Sequence, residues 1–319
     1  MRFETINPAY NSVFHAGKIS LGIVVPIENY SQSAVPSMKR HLERVKLVED
    51  LGFKAIWVRD VPLQVPTFGD AGQTFDPFTY LGFLAGQTSR IALGLASVAL
   101  PLHHPVHVAK SAATIDQLSA GRFIMGVASG DRPDEYPAMN VDFEGRGDLF
   151  RDAFTYIRAA SSEYPKMENN AFGSLSGMAD ILPKPYLGKI PMLVTGFSRQ
   201  SMEWNAQYGD GWIYYPRHPM QQAYTITQWR RLVDQYHERS KPFMQPLYVI
   251  LESDPDFRPQ PIQLGLKTGL NYLIEYFQDL EQMGVNHVAI NLRFQPENVE
   301  KTLEILAKTI LPKFNPQKT

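Results

Sequence analysis

The sequence predicts an α/β chain folded as a closed (β/α)8 TIM barrel, and three observations carry that prediction. Short apolar runs of strand length alternate with amphipathic segments of helix length eight times within 319 residues, the rhythm of a barrel rather than of an open sheet. The runs are rich in β-branched residues with little polar alternation, as in parallel strands buried on both faces. After the first run stands Val24-Val25-Pro26-Ile27-Glu28, where a doubly wound fold would carry a glycine-rich dinucleotide turn or a Walker lysine loop.

Ile19–Val25 is the first strand. Met38, Leu42, Val45, Val48 and Leu51 follow at spacings of three and four, an apolar helical stripe, and Gly52 stands where a C-cap belongs. Strand Ala55–Arg59, helix Pro77–Thr88, strand Ile91–Ser97 and helix Val106–Leu118 come next. Strand Phe123–Ala128 leads to a helix from Gly147 to Ser162. The second half reads strand Pro191–Thr195, helix Ser198–Tyr208, strand Trp212–Tyr215 and helix Met220–Ser240. Strand Leu247–Leu251, helix Leu264–Met283, strand His287–Leu292 and helix Glu297–Leu311 complete it. Residues 163–189, rich in Pro, Gly, Ser and Asn, are too long for an ordinary αβ loop. Because the rhythm resumes after them, they read as an insertion between the fourth helix and the fifth strand of one domain spanning 1–319.

Lysine and arginine (31) nearly cancel aspartate and glutamate (32), for a formal net charge of −1. That balance argues against a nucleic-acid binder working through a basic field and against a polybasic membrane-surface protein. A composition 44% hydrophobic and 20% charged suits a globular chain with a sizeable core. Cysteine is absent, which removes disulfides, thiolate metal ligands and cysteine nucleophiles. No apolar run approaches the ~18 residues of a membrane span. Residues 1–10 lack a signal-peptide layout, so a cytoplasmic enzyme without membrane or nucleic-acid partners is expected.

In such a barrel, chemistry collects at the C-terminal ends of the strands. Those positions hold Arg59 and Asp60, then Ala96 and Ser97, then Ser129-Gly130-Asp131-Arg132. Gly196 to Ser201, Tyr214 and Tyr215 with Arg217 and His218, and Asn291 with Arg293 follow. The rim is polar and rich in arginine, which suits an anionic ligand. Gly196-Phe197-Ser198-Arg199-Gln200-Ser201 joins a strand to a helix N-terminus, where unpaired backbone N–H groups and the helix dipole favour an anion. Ser198 is expected to cap that helix, with Arg199 and Ser201 as further donors to a phosphate. An ordinary N-cap beside an exposed arginine is the alternative.

Other chemistries fit less well. His103, His104 and His107 have no carboxylate ligand nearby, and the first strand ends in Val and Pro where metal-dependent barrel hydrolases carry His-x-His. Capping and packing explain the three, and no metal is expected. No strand supplies a Schiff-base lysine. Glu28, Asp60 and Glu252 suit surface or salt-bridge duty better than a paired-carboxylate hydrolase.

Four stretches in register resemble the bacterial luciferase-like flavin monooxygenase superfamily. They are Leu93-Gly-Leu-Ala-Ser-Val-Ala-Leu-Pro-Leu-His-His-Pro105, Asp116-Gln-Leu-Ser-Ala-Gly-Arg-Phe123, Leu182-Pro-Lys-Pro185, and Gly196–Trp204 followed by Gly209-Asp-Gly-Trp212. The resemblance implies a barrel that binds FMN, or in some branches F420, at its C-terminal mouth. Ala96-Ser97 matches a non-prolyl cis peptide that bulges behind the isoalloxazine ring. Gly196 and the phosphate-holding loop Phe197, Ser198, Arg199 and Gln200 match the cofactor site. Ser129 falls where luciferase carries a phosphate-binding arginine, which leaves Arg199, with Arg132, to supply the charge. Luciferase also places a catalytic histidine after the second strand, and Val61 occupies that position here. Light emission with a long-chain aldehyde is therefore not expected. Asp60 and His104 are left as candidate bases, with a salt bridge to Arg59 and a helix cap as their structural alternatives.

The expected oxidoreductase is a two-component FMN monooxygenase acting on a small organic substrate with O2 in a water-excluded pocket. The chain has no nicotinamide fingerprint, so a separate flavin reductase would supply reduced flavin. F420-dependent hydride transfer, and flavin binding without turnover, stay open beside it. Family members pair through helices two and three, and Ala109, Ala112 and Ala113 permit close approach, so a homodimer is expected.

Overall fold

The computed structural model describes residues 2–296 and 298–314. Both ends of the predicted 1–319 domain, and Glu297 at the start of the predicted last helix, lie outside the described residues. Eight strands run β1 Ser20–Val24, β2 Ala55–Val58, β3 Ala92–Ala99, β4 Phe123–Ala128, β5 Met192–Thr195, β6 Gly211–Ile213, β7 Phe243–Leu251 and β8 His287–Asn291. Each pairs in parallel with the next, and β8 returns to β1, so the sheet closes into a barrel. A main helix follows each strand: α1 His41–Asp50, α2 Pro77–Gln87, α3 Pro105–Leu118, α4 Arg146–Ala160, α5 Met202–Tyr208, α6 Pro219–Tyr236, α7 Leu270–Met283 and α8 Val299–Thr309, with short helical turns at Glu135–Ala138 and Leu311–Phe314 beside them. Among the described residues no helix is long and apolar enough to cross a membrane.

Three expected starts move by four residues or more, each for a physical reason. The predicted Leu264–Met283 helix begins only at Leu270. Gly265–Thr268 is instead a strand lying parallel to Tyr248–Leu251 and antiparallel to Gln260–Ile262. A β-carbon on Gly265 would sit 1.9 Å from the Tyr248 carbonyl oxygen, so only glycine lets this arm dock. β7 starts at Phe243, ahead of the predicted Leu247, and runs through Pro246. Pairing with β6 stops at Met244, so the missing proline N–H costs no ladder bond on that side. α5 starts at Met202, four residues later than predicted, and Ser201 rather than Ser198 caps it by accepting from Trp204 N at 3.1 Å.

Residues 163–189 contain a two-stranded antiparallel hairpin, Lys166–Asn170 with Gly173–Ser176. Ala109, Ala112 and Ala113 of α3, expected to admit a second copy, are buried within the chain. Ala109 and Ala113 share a crevice with Ile157 and Ala160 of α4, so this stripe offers no face to a partner.

Two cores stabilise the barrel. The larger lies between strands and helices, and the smaller fills the barrel interior, where Val24, Trp57, Ile124 and Met244 meet Tyr10 and Phe14 of the N-terminal segment. A short helix, Pro8–Val13, carries Tyr10, whose hydroxyl donates to the Asp210 carbonyl at 2.8 Å. Inside the barrel, Trp57 Nε1 donates to His287 Nε2 at 2.9 Å. The proton of the neutral ring then sits on Nδ1, which donates to Ser20 Oγ at 2.7 Å, and Ser20 donates to the Val13 carbonyl at 2.6 Å. Every polar side-chain atom in this Trp57–His287–Ser20 relay has a partner, as burial demands.

Gly94 fixes the Trp57 ring from below. A β-carbon there would lie 2.2 Å from Trp57 Cε3, and the ring cannot retreat without breaking its bond to His287. Gly94→Ala is therefore expected to destabilise the fold by about 3 kcal/mol, the upper end for overpacking. Urea unfolding followed by tryptophan fluorescence checks this, and an unchanged midpoint would show that the ring moves freely.

Candidate active site

The strand ends surround a mouth with two communicating lobes of about 280 and 550 Å³. Arg59, Phe68, Ala96, Asp131, Thr195 and Tyr215 line both, so they form the partition between them. The smaller lobe lies over β3, β4 and β5. Its floor is the end of β3, where the Ala96–Ser97 peptide is cis and the β3–β4 register shifts between Leu95 and Val98. Gly126 of β4 makes room for this bulge: a β-carbon there would stand 2.5 Å from the Leu95 carbonyl and 3.1 Å from Ser97 Oγ. Ser97 and Thr195 hydroxyls are hydrogen-bonded across the floor.

The expected phosphate loop divides. Gly196, Phe197 and Ser198 line the small lobe with Ser129 and Gly130. Ser198 and Arg199 both take left-handed backbone conformations, with φ of 49° and 60°. That turn carries the Arg199 side chain out to Glu144 at 3.3 Å, half exposed. Gln200 turns inward instead, donating to the Gly147 carbonyl at 2.8 Å and accepting from Arg151 at 3.0 Å. Neither Arg199 nor Gln200 lines the cavity, so the charge expected of Arg199 lies outside it in this geometry. Arg132 stands there in its place. It is 6% exposed, donates through Nη2 to the Asp70 carbonyl at 2.8 Å and lies 4.1 Å from the Phe68 ring centroid. Its Nη1 is buried without a partner among the described residues, an arrangement that costs free energy until an acceptor arrives.

The two candidate bases separate as well. His104 is exposed, accepts from Val106 N at 3.3 Å as the α3 cap, and packs by its ring edge near Tyr156 and Phe172. It does not line either lobe, and its capping bond matches the structural alternative named for it. Asp60 does line the small lobe, with its side chain 2% exposed. It does not pair with Arg59. Its Oδ2 accepts from Ala99 N at 3.1 Å and from His103 Nε2 at 2.7 Å. Glu135, unforeseen, also faces this lobe, and burial raises its carboxyl pKa.

Arg59 points to Asp70 at 2.9 Å, and Arg293 meets the same carboxylate at 3.0 Å. Asp70 also accepts from Tyr30 at 3.2 Å and from Gly72 N at 2.9 Å. Despite opposing burial, Arg59, then the Gly72 N–H, then Arg293 hold its carboxyl below the usual range. Over both lobes four arginines (59, 132, 217 and 293) face four carboxylates (60, 70, 131 and 135). The arginine excess expected from the sequence is thus balanced by acids from the connecting loops. Among the described residues no cluster of three or more His, Asp or Glu could hold a metal.

A model of luciferase-like monooxygenases matches residues 19–257. The chain belongs to the luciferase-like monooxygenase family. It is 35% identical over 188 residues to an uncharacterised protein of Mycobacterium tuberculosis, covering 54% of this chain and 66% of that one. It is 32% identical over 174 residues to an alkanal monooxygenase beta chain of Photorhabdus luminescens, covering 54% and 52%. The matches thus span about half to two thirds of these relatives' length. The fold is similar to that of the monooxygenase RslO1 from Streptomyces bottropensis, with TM-score 0.77, 18% identity and coverage of 92% of this chain and 99% of that one. It is also similar to an F420-dependent secondary alcohol dehydrogenase, with TM-score 0.75, 17% identity and coverage of 92% and 98%. In this member of the luciferase-like family, Val61 lines the small lobe, so an aliphatic side chain faces the mouth where the resemblance implies the luciferase histidine.

Asp70 and Glu135 line the mouth and His103 bonds to Asp60, although none of the three stood among the candidate site residues of the sequence. Asp70 sits in Gly69-Asp70-Ala71-Gly72, a turn signal that marks a loop but not its destination.

Proposed function

We propose that the chain is a two-component monooxygenase that takes reduced FMN from a separate flavin reductase and acts with O2 on a small organic substrate. The observation that carries this reading is Arg132 Nη1, buried and unpartnered on a lobe that also presents Ser129 and Ser198. That donor set fits a phosphate monoester, since a guanidinium and hydroxyls match its acceptor oxygens. When bound, reduced flavin supplies the electrons that activate dioxygen. The residues here bind, orient and shield. Arg132, Ser129 and Ser198 would hold the phosphate end, and the Ala96–Ser97 bulge would support the ring. Val61, Phe68 and Phe197 would give a bound ring an apolar cover, and Asp60 would hold or take a proton at its carboxylate. The same reading includes a cytoplasmic homodimer, with the larger lobe as substrate compartment.

A second reading, hydride transfer with F420, is favoured by one observation. Asp60 offers a carboxylate on the lobe wall, able to take the proton that an alcohol loses as its hydride departs. Absorbance and mass of the cofactor that co-purifies decide between the two.

Arg132→Met is expected to weaken FMN about 10- to 100-fold, the worth of a charged hydrogen bond, while leaving riboflavin nearly unaffected. Arg199→Met should change neither. Fluorescence titration of both ligands checks this, and an equal loss for FMN and riboflavin would remove the phosphate role.

A further inference from the structure

We propose that Asp60 and His103 form one charge-compensated proton acceptor at the mouth, with Asp60 facing the cavity and His103 as the positioning residue behind it. It rests on the cofactor site proposed above, but the pair itself stands on geometry. Asp60 lines the small lobe, and its Oδ2 is held from the end of β3 by Ala99 N at 3.1 Å and His103 Nε2 at 2.7 Å. The carboxylate is therefore locked in orientation by two donors on one oxygen. Arg59, its sequence neighbour, is committed to Asp70 at 2.9 Å and does not compete for it.

His103 follows the short turn Leu100–Leu102 and is absent from the walls of both lobes. Its side chain is 26% exposed, against 2% for Asp60, so the pair reaches from the mouth to the outside. The Phe78 ring stands edge-on to it at 6.4 Å. The charged groups acting on His103 are acidic: Asp60 after β2, Asp76 before α2, and Glu135 at the start of the short helix Glu135–Ala138 after β4. Burial opposes the imidazolium, but the Asp60 hydrogen bond and these charges outweigh it and hold the His103 pKa above its ordinary value.

The step balances. A donor in the lobe gives one proton to the Asp60 carboxylate. The imidazolium, its counter-ion neutralised, releases one proton to solvent. One proton enters the pair, one leaves, no electron moves, and the pair's net charge is zero before and after. A lone buried carboxylate would change the net charge of a poorly solvated site at each turn, which is costly where the dielectric is low. This arrangement assigns a task to the mouth despite Val61 at the histidine position.

The test has two arms on the full chain. In the first, the His103 ring proton is titrated by NMR in the flavin-free protein, assigned with His103→Gln. Asp60→Asn is expected to lower the His103 titration toward that of free imidazole. In the second, reoxidation of prereduced FMN is followed from pH 5 to 9. The wild type is expected to show an inflection at the pH where the first arm places His103. His103→Gln, which keeps an N–H donor but cannot titrate, should lose that inflection while binding FMN as before. An unmoved His103 titration in Asp60→Asn, or an inflection that survives His103→Gln, overturns the pair and leaves it a structural clasp. Failure of the wild type to bind FMN would instead overturn the cofactor reading, and the first arm would still decide whether the two groups titrate together.

Discussion

An Asp70→Asn variant is expected to lose about 3–5 kcal/mol of stability, the penalty for removing one partner from a buried ion pair. Asp70 is the single carboxylate between Arg59 and Arg293, at 2.9 and 3.0 Å, and the side chains of the three are 10%, 23% and 11% exposed. Asparagine keeps an acceptor for Gly72 N but leaves two guanidiniums facing each other across a neutral amide. The effect extends beyond stability. Asp70 pins the loop between β2 and α2, whose backbone also accepts from Arg132 at Asp70 and from Arg293 at Gly69. Three strand ends thus hold one loop across the mouth. Because the folded pKa of Asp70 is depressed, its contribution is complete above the unfolded value near 4 and is lost as the pH falls through the lower folded value. Urea unfolding at pH 7 checks the prediction, and a loss below about 1 kcal/mol, the range of exposed pairs, would mean that solvent already screens the site.

The barrel was legible in the sequence because its signals are local. Apolar runs, helical stripes and glycine stops each report on a few neighbouring residues, and β4 falls where the pattern puts it, at Phe123–Ala128. The rule that chemistry gathers at strand ends also located Ser97, Ser129 and Gly196 on the cavity wall. What was not legible depended on side-chain direction. Arg199, with Arg132 behind it, is the arginine that the sequence offers to a phosphate. The left-handed turn at Ser198 and Arg199 sends the first to Glu144, while burial under Phe68 keeps the second inside. Asp60 and Arg59 look like natural partners, yet each is claimed by a residue from a different loop, His103 and Asp70. Such choices are tertiary, and short-range periodicity carries no trace of them. The arm at Gly265–Thr268 was read as helix for the same reason: its strand character comes from docking on Tyr248–Leu251.

Mild acid is expected to destabilise the chain well above the range where carboxylates titrate, and His287 is the cause. Its ring is fully buried inside the barrel, and burial pushes its pKa down to about 3. In the unfolded chain the same imidazole titrates near 6.5. Between these two values the unfolded state holds a proton that the folded state does not, so stability falls with pH by about 1.4 kcal/mol per unit. Going from pH 6.5 to 4.5 should remove roughly 2 kcal/mol through this one group. The folded ring cannot accept the proton, because Nε2 already takes the Trp57 N–H and Nδ1 already donates to Ser20. Protonation would turn Nε2 into a second donor facing the Trp57 N–H, in a core with no acceptor to spare. His287→Gln offers one acceptor and one donor without a titration, so its stability should be flatter over the same range. Unfolding free energies of both proteins at pH 6.5 and 4.5 make the comparison, since every other titrating group is common to the two. Parallel losses would place the acid sensitivity elsewhere and mean that water reaches the interior of the barrel.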